Sequence, residues 1–233
     1  MNAARDQTRA ARERGCFITL EGGEGTGKST QVGHLLRNLR EAGQEVIGTR
    51  EPGGSPGAEI LRKVLLSGSV ARLGPAAEAI LFSAARIDHI EKTIKPALAA
   101  GIFVVSDRFA DSTRVYQGAR GQLDPRYLRA LQRITLNDVR PDLTLILDLP
   151  AAEGLARAAA RRGTGKDPDR FEGEDLLFHE SLREAYLSIA AAEPTRCIVI
   201  DAAGSEEKVA QAIFEAVSNR LIAPAAAKQA RHG

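Results

Sequence analysis

The sequence has few of the residues that mark disulfide-rich or aromatic-rich proteins. Among its 233 residues there is no tryptophan, and aromatic residues account for only 4%. Its two cysteines, Cys16 and Cys197, are too few for a disulfide framework and stand in apolar, strand-like runs. We therefore expect two buried free thiols and a cytoplasmic location, where thiols stay reduced.

Long apolar runs and a strong charge imbalance are also absent. No run of about 18 apolar residues occurs, so the sequence predicts no membrane-spanning helix. The segment 1–15 is charged and lacks the apolar core of a secretory signal, and we expect a disordered tail there. The formal net charge of +2 provides no broad basic field. Neither a membrane nor a nucleic acid is therefore an expected partner.

Five short apolar runs alternate along the chain with helical patterns. Their length suits strands that are buried on both faces of a sheet. The strand candidates are 16–20, 45–50, 102–107, 143–149 and 197–202. Because strand and helix alternate, we expect a three-layer α/β fold, in which a five-stranded parallel sheet carries helices on both faces. A single domain is expected over 16–222, followed by a flexible C-terminal tail over 223–233.

Helix boundaries are indicated by capping residues. Pro75 opens a long helix over 75–100, and Asp124 followed by Pro125 supplies the cap and first position of another. Ser205 caps a last helix. Ligands of such folds bind beyond the C-terminal ends of the parallel strands, so polar residues at those ends are candidates for a functional site.

The first strand leads into the glycine-rich segment GGEGTGKS, which fits the G-x-x-x-x-G-K-[ST] pattern of a phosphate-binding loop, or P-loop. Its glycines let backbone N–H groups turn toward an anion, and the following helix adds its dipole. Lys28 can reach the β- and γ-phosphates of ATP, and the Ser29 hydroxyl can bind Mg²⁺. The pattern predicts a P-loop fold with these two cofactors. The predicted nucleotide-binding residues are Gly22, Gly23, Glu24, Gly25, Thr26, Gly27, Lys28, Ser29 and Thr30.

A phosphate-binding loop alone does not distinguish between a GTPase, a motor and a small kinase. A GTPase needs a base-reading segment of the N-K-x-D type, and the sequence contains none. A large ATPase needs a longer chain. These absences favour a small P-loop kinase, which passes the phosphate to a second substrate.

Five segments in order along the chain carry a family resemblance. They are EGGEGTGKST, TREPGGSPGAEILRKVLL, AILFSAARIDHIEKTIKPAL, VVSDRFADSTRVYQGARG and RPDLTLILDLP. Over roughly residues 16–222 the chain resembles the bacterial thymidylate kinases, and the R-E-P-G-G and D-R-[FHY]…Y-Q-G pieces are far more specific than the P-loop. The resemblance implies transfer of the γ-phosphate of ATP to dTMP, which gives dTDP and ADP for dTTP synthesis. It also implies a homodimer.

The resemblance implies which residues hold the phosphate of the acceptor, dTMP. Arg108 is assigned to that phosphate, for which a planar guanidinium is suited, and Arg50 is a second positive group beside it. Asp107 would join Ser29 in Mg²⁺ coordination, directly or through water. Phe109 keeps the ring of the Tyr or His that is common in the family at this position but lacks its polar atom.

The thymine base is assigned to two helical segments. Phe82 and Arg86 lie four residues apart on one helical face, so the ring can stack on thymine while the guanidinium donates to a thymine carbonyl. Thr113 and Gln117 are similar to family residues that read the thymine edge, and Ser112 lies beside them.

The sugar of dTMP is assigned to two further residues. By the same resemblance, Tyr116 closes the 2′ side of the sugar and Glu24 reaches the 3′-OH. The thymine methyl in an apolar pocket supplies only about 1–3 kcal/mol, so we expect a modest rejection of uracil. Base-edge groups left without a partner are expected to reject cytosine more strongly.

The catalytic positive charge is expected in a lid rather than in the P-loop. Some family members carry an arginine in the variable part of that loop, but here those positions are Gly23, Glu24, Gly25 and Thr26. A basic loop at about 157–172 resembles the mobile lid of another subgroup. Its basic residues are Arg157, Arg161, Arg162, Lys166 and Arg170. We favour Arg161 and Arg162 as the groups that stabilise the transition state, beside Lys28 and Arg108.

Two other functions remain open at this point. One is a small P-loop kinase that acts on a different nucleoside monophosphate or on a metabolite. The other is a nucleotide-binding switch without catalysis, which would have no physical need for Lys28, Asp107, Arg108 and the lid arginines together.

The dimer surface is also open on the sequence alone. The 75–100 helix carries an apolar pattern that could provide such a face, but burial in the core explains the same pattern. The residues of this pattern are Ile80, Leu81, Ala84, Ile87 and Ile90.

Overall fold

The structure, a computed structural model, describes residues 14–121, 123–162, 171 and 173–223. Its strands are β1 (Phe17–Glu21), β2 (Val46–Arg50), β3 (Phe103–Asp107), β4 (Leu143–Asp148) and β5 (Cys197–Asp201). They form one parallel sheet in the order β2-β3-β1-β4-β5. The predicted fold class is confirmed, and each predicted strand boundary lies within one residue of the observed one.

Helices connect the strands on both faces of the sheet. They are α1 (Lys28–Glu41), α2 (Pro56–Leu66), α3 (Gly74–His89), α4 (Lys95–Ala99), α5 (Ala110–Gly121), α6 (Pro125–Leu136), α7 (Ala151–Arg162), α8 (Leu176–Ala192) and α9 (Glu206–Val217). A 3₁₀ turn over Ser69–Leu73 precedes α3, and a π-helical segment over Ile90–Ile94 joins α3 to α4. The predicted long helix over 75–100 is therefore present, with a change of winding inside it.

The predicted helix caps are confirmed. The Asp124 carboxylate accepts a hydrogen bond of 2.7 Å from the Arg126 N–H at the start of α6. The Ser205 hydroxyl accepts one of 3.4 Å from the Lys208 N–H at the start of α9. These bonds satisfy N–H groups that have no partner within their own helix.

The core lies on both faces of the central strand β1. All five residues of β1 are buried, as expected for the middle of a parallel sheet. Ile18 and Leu35 belong to the cluster on one face, and Phe17 and Ile94 belong to the cluster on the other. Because side chains alternate along a strand, β1 contributes to both clusters and fixes the order of the three layers.

The two cysteines are both free, but only one is buried. Cys197 lies in β5 and is buried, and burial raises the pKa of its thiol to about 11. Cys16 immediately precedes β1 and is only partly buried, so the prediction of a buried thiol was wrong for this residue. None of the helices in the described ranges is both long and apolar enough to cross a membrane.

The carboxyl ends of β1, β2 and β3 meet at one edge of the sheet. Leu20 of β1 and Arg50 of β2 are both in register with Asp107 at the end of β3. The loops that leave these strands, including Gly22–Gly27 and Glu51–Ser55, therefore lie side by side. This edge is where ligands of open α/β sheets bind.

Candidate functional site

A cavity of about 300 Å³ lies beyond these strand ends. It is lined by the P-loop, by residues that follow β2 and β3, and by side chains of α3 and α5. The predicted site residues on its wall are Glu24, Gly25, Gly27, Lys28, Ser29, Arg50, Phe82, Arg86, Asp107, Arg108, Ser112, Thr113, Tyr116, Gln117 and Arg161. Those that do not line it are Gly22, Gly23, Thr26, Thr30 and Arg162. Widely separated parts of the chain thus share one cavity.

The P-loop adopts a backbone path that depends on glycine. Gly25 and Gly27 have φ angles of 68° and 86°, in the left-handed region that is costly for other residues. A Cβ on Gly25 would stand 1.8 Å from the carbonyl oxygen of Gly154 in α7. The loop therefore packs directly against helix backbone. Gly154 was not predicted, because no local signal marks its approach to the loop.

Lys28 is buried at the centre of the P-loop. Its ammonium donates to the carbonyl oxygens of Gly22 at 3.1 Å and Gly23 at 2.6 Å. Burial lowers the pKa of Lys28 to about 8, with a smaller contribution from Arg108 against the opposing effect of Glu24. The lysine is thus held by backbone dipoles at the point where the loop turns into α1.

Ser29 and Asp107 present two oxygen groups side by side at the mouth of the loop. The Ser29 hydroxyl donates to the Asp107 carboxylate at 2.5 Å. Mg²⁺ in kinase sites is held by one or two such groups together with water and substrate phosphates. The described ranges contain no group of three or more His, Cys, Asp or Glu side chains that could hold a metal by themselves. The pair therefore fits an ion that arrives with its nucleotide.

Arg108 lies between the P-loop and α5. Its guanidinium donates to Glu24 at 2.7 Å and to the carbonyl oxygen of Gly22 at 3.1 Å, and it lies 5.1 Å from the centre of the Tyr116 ring. Its backbone φ of 68° is uncommon for a residue with a side chain. The Arg108 N–H nevertheless donates to the Leu20 carbonyl at 3.0 Å, so the turn after β3 remains tied to β1.

Glu24 is a charged acid in a largely enclosed setting. It accepts a hydrogen bond from the Tyr116 hydroxyl at 2.7 Å, and its side chain is 15% exposed. Burial alone would raise the pKa of Glu24, but Arg108 and then Lys28 outweigh it and lower that pKa to about 2. Glu24 is therefore ionised at neutral pH and holds Arg108 and Tyr116 in place.

The pKa of Glu21, three residues earlier, is shifted in the opposite direction from that of Glu24. It ends β1, is fully buried, and accepts hydrogen bonds from the Phe109 N–H at 2.8 Å and from the Ser112 hydroxyl at 2.7 Å. Burial, with a contribution from Asp111, raises the pKa of Glu21 to about 7. The Tyr186 hydroxyl donates to Glu21 at 3.2 Å. Neither Glu21 nor Tyr186 was predicted. An acid at the end of an apolar strand was the only available signal, and it concerns Glu21 alone.

Arg86 forms a buried ion pair with Glu51, and both residues line the cavity. Its Nε donates to Glu51 at 2.7 Å, and both side chains are almost fully enclosed. Its Nη2 donates to the Phe109 carbonyl at 3.1 Å and to the Thr113 hydroxyl at 3.0 Å. The other Glu51 oxygen accepts from His89 at 3.0 Å. Glu51 was not predicted as a site residue, although it stands inside the R-E-P-G-G segment.

Three other residues that line the cavity differ in their exposure. Arg50 is 54% exposed in its side chain and pairs with Glu59 at 3.1 Å. Phe82 is partly buried and packs against the cluster that contains Tyr116, while Gln117 is 3% exposed and also lines the cavity. A flat ring, an amide and a guanidinium therefore border the same space.

Only part of the predicted lid falls within the described residues. Arg161 at the end of α7 reaches the cavity wall, whereas Arg157 donates to Glu153 at 2.6 Å and to the Ala202 carbonyl at 2.9 Å. Phe171 lines the cavity and packs edge-on against Tyr116, with ring centres 5.0 Å apart. Lys166 and Arg170 lie outside the described residues.

The chain is similar to known proteins over most of its length. The family model described as Thymidylate kinase matches residues 20–213. A protein named thymidylate kinase from Bradyrhizobium diazoefficiens is 58% identical over 209 residues, which cover 90% of this chain and 91% of that protein. Proteins of the same name from Nitrobacter winogradskyi and Rhodopseudomonas palustris are 56% and 55% identical, over 96% and 92% of this chain and 97% and 93% of their own lengths.

Proposed function

Because this chain belongs to the thymidylate kinase family, we propose that its cavity transfers the γ-phosphate of ATP to dTMP, giving dTDP and ADP. One observation carries the proposal: Lys28 of the P-loop, the buried Arg86 and the partly buried Arg108 line the same cavity, and each arginine is anchored by an ion pair. A donor site and an acceptor site for phosphates therefore face each other across it. The chain is thus a nucleoside monophosphate kinase.

The donor side is assigned to the P-loop. Backbone N–H groups from Gly25 to Ser29 and the N-terminus of α1 favour the ATP phosphates. Lys28 contributes a positive charge that needs only a small movement away from the loop carbonyls. Ser29 and Asp107 would hold Mg²⁺, which when bound neutralises charge on the β- and γ-phosphate oxygens.

The acceptor side is assigned to α3 and α5. Arg108 and Arg50 would bind the dTMP phosphate, and Glu24 would accept a hydrogen bond from the 3′-OH. Arg86 has its Nε and Nη2 committed to protein partners, while Nη1 forms no hydrogen bond with the described residues. Nη1 would therefore donate a hydrogen bond to a thymine carbonyl. The Phe82 ring would stack on the thymine base beside it.

Thr113, Gln117, Ser112 and Tyr116 complete the proposed acceptor pocket. Thr113 accepts from Arg86 and, with Gln117, would read the base edge. Ser112 accepts a hydrogen bond from Arg108 at 3.3 Å, so it would support the phosphate contact. The Tyr116 ring stands against Phe171 and would close the pocket on the sugar.

The reaction itself needs positioning and charge rather than a covalent intermediate. An oxygen of the dTMP phosphate forms a bond to the γ-phosphorus while the bond to the bridging oxygen of ADP breaks. Lys28, Arg108 and Arg161 would stabilise the charge on the transferred group, and Arg162 would act from outside the cavity wall. Enclosure by Tyr116 and Phe171 would reduce the access of competing water.

A panel of nucleoside monophosphates tests the proposed substrate. With ATP and Mg²⁺, we expect the largest kcat/KM for dTMP and a value about 10–200-fold lower for dUMP, because only one methyl group is lost. dCMP is expected to be far worse, since it reverses hydrogen-bonding groups at the base edge. A higher value for another nucleotide would favour a different kinase, and no ADP release would favour a non-catalytic binding protein.

We also propose a homodimer formed through α2, α3 and α6. Ile80, Ile87 and Ile134 are 51%, 43% and 71% exposed, and Ile60 of α2 is 66% exposed. Ile90 is 2% exposed, so core burial explains only that end of the predicted apolar pattern. Exposed apolar residues on three adjacent helices support an interface.

Analytical ultracentrifugation tests the proposed dimer. We expect the wild type to sediment as a dimer and the Ile80→Glu/Ile134→Glu variant to sediment as a monomer. Leu177 of α8 is 79% exposed and lies on another helix, so Leu177→Glu is the matched control and should remain dimeric. A monomeric wild type at micromolar concentration would contradict the proposal.

The remaining proposals concern domain organisation and location. Residues 16–222 are proposed to fold as one kinase domain with a lid at about 157–172. Calorimetry tests this proposal: a single unfolding transition would support one domain, and two separate transitions would contradict it. A cytoplasmic location is proposed from the two free thiols, and fractionation of the native host tests it.

A further inference from the structure

A second cavity, of about 370 Å³, lies beside α5 and α6 and is lined largely by arginines. Its basic residues are Arg114, Arg129, Arg133, Arg140 and Arg196, and its acidic residues are Asp111 and Glu193. Of the residues on its wall, only Phe109 also lines the candidate active site. The second cavity therefore has its own set of charged groups.

Two of the arginines are neutralised by the two acids. Arg114 pairs with Asp111 at 3.1 Å and with Glu193 at 2.7 Å. Arg196 pairs with Asp111 at 2.7 Å and with Glu193 at 2.8 Å. The four side chains form a closed ring in which two positive and two negative charges cancel. The Asp111 side chain is only 5% exposed, so this ring is a rigid part of the cavity.

The other three arginines have no such neutralisation. Arg129, Arg133 and Arg140 are exposed and form no ion pair with any side chain within the described ranges. Arg129 and Arg133 lie one helical turn apart on α6, and Arg140 follows that helix. Because like charges repel, three unneutralised guanidinium groups around one cavity favour an anionic occupant.

We propose that this second cavity binds a small, multiply charged phosphate compound. Guanidinium groups form paired hydrogen bonds with phosphate oxygens. A ligand with a single carboxylate could not satisfy as many of these donors as a ligand with several phosphate oxygens. Leu136 and Pro141 also line the cavity, which suits a compact ligand with a limited apolar part. An extended nucleic acid fits less well, because the positive groups converge on a cavity and the whole chain has a net charge of only +2.

Isothermal titration with inorganic pyrophosphate tests this site in the full-length protein. The protein is first saturated with dTMP and ADP, so that the P-loop is filled. The wild type should then bind about one further pyrophosphate per chain. Combined Arg129→Gln, Arg133→Gln and Arg140→Gln substitutions should weaken this binding at least about tenfold, because three charged groups that face the phosphates are lost.

Arg126 provides a matched control. It is also exposed on α6 but does not line the second cavity, so Arg126→Gln should bind pyrophosphate as the wild type does. An absence of saturable binding to the filled wild type would overturn the proposal. So would equal binding by the wild type and the triple variant. The dTMP titration that precedes pyrophosphate tests the proposed function by itself: an absence of dTMP binding would contradict that function, whereas weaker pyrophosphate binding in the triple variant would still support this site, since the two cavities share only Phe109.

Discussion

The two walls proposed for the candidate active site, a donor wall and an acceptor wall, are built in different ways. The donor wall is mainly backbone, in which the glycine turns of the P-loop direct N–H groups and hold Lys28 through carbonyl contacts. The proposed acceptor wall is built from side-chain ion pairs, chiefly the buried Arg86–Glu51 pair and the partly buried Arg108–Glu24 pair. Backbone groups recognise any phosphate, whereas paired side chains fix an arginine at one place. The difference indicates that substrate choice depends on the acceptor wall.

The largest expected effect comes from removing the lid charge that lines the cavity, Arg161. Arg161→Ala should lower kcat by about 10³-fold or more, as the loss of an arginine finger does in related enzymes. The KM values should change much less, because the charge acts on the transferred group. Steady-state kinetics with both substrates measure this effect.

Arg162 is the matched control for Arg161, since it is the next residue along α7 and does not line the cavity. Arg162→Ala should have a much smaller effect on kcat than Arg161→Ala. If neither substitution changes kcat, the lid does not supply the catalytic charge.

The next largest effect is on stability, and it differs between a buried ion pair and an exposed one. Glu51→Gln should lower the free energy of unfolding by roughly 3 kcal/mol, because it leaves Arg86 buried without its charged partner. Glu59→Gln breaks the exposed pair with Arg50 and should cost less than about 1 kcal/mol. Urea denaturation measures both losses, and equal losses would contradict the difference between the buried pair and the exposed pair.

A further effect distinguishes Glu21 from Glu24 by the pH dependence of stability. The pKa of Glu21 is raised from 4.5 to about 7, so the unfolded chain releases this proton first and stability falls as pH rises through that window. The pKa of Glu24 is lowered from 4.5 to about 2, so its contribution is present above 4.5 and is lost as pH falls below it.

Replacing each glutamate by the isosteric glutamine tests these opposite pH dependences of stability. Relative to the wild type, Glu21→Gln should gain about 3 kcal/mol of stability between pH 4 and pH 8, as the native Glu21 becomes ionised at a cost. Glu24→Gln should instead lose about 2 kcal/mol relative to the wild type between pH 3 and pH 7. Denaturation curves across pH give both differences, and the same sign for both variants would be inconsistent with these pKa shifts.

The parallel sheet was predictable because each strand is a continuous apolar run and because α6 and α9 begin at local capping residues. The P-loop was predictable for a similar reason, since glycine spacing and Lys28 are contiguous in the sequence. The location of Arg108 was also indicated, because it follows β3 at the edge where strand ends meet. These features depend on short stretches whose conformation is largely local.

The supporting contacts could not be predicted in the same way. Glu51 meets Arg86 only after α3 folds back on the strand β2, and Tyr186 reaches Glu21 from α8, far along the chain. Gly154 contacts the P-loop through backbone, which leaves no chemical signature in its own neighbourhood. Such pairings depend on tertiary packing, and a single sequence contains no local pattern that specifies them.

The most direct test is to replace Arg86 and to measure KM for each of the two substrates. Arg86→Lys keeps a positive charge beside Glu51 but loses the planar fork, so the fold is retained better than with alanine. KM for dTMP should rise about 10–100-fold, while KM for ATP should stay within about twofold, because this arginine belongs only to the acceptor wall. Equal increases for both substrates, or no increase for dTMP, would contradict the division of the cavity into a general donor wall and a selective acceptor wall.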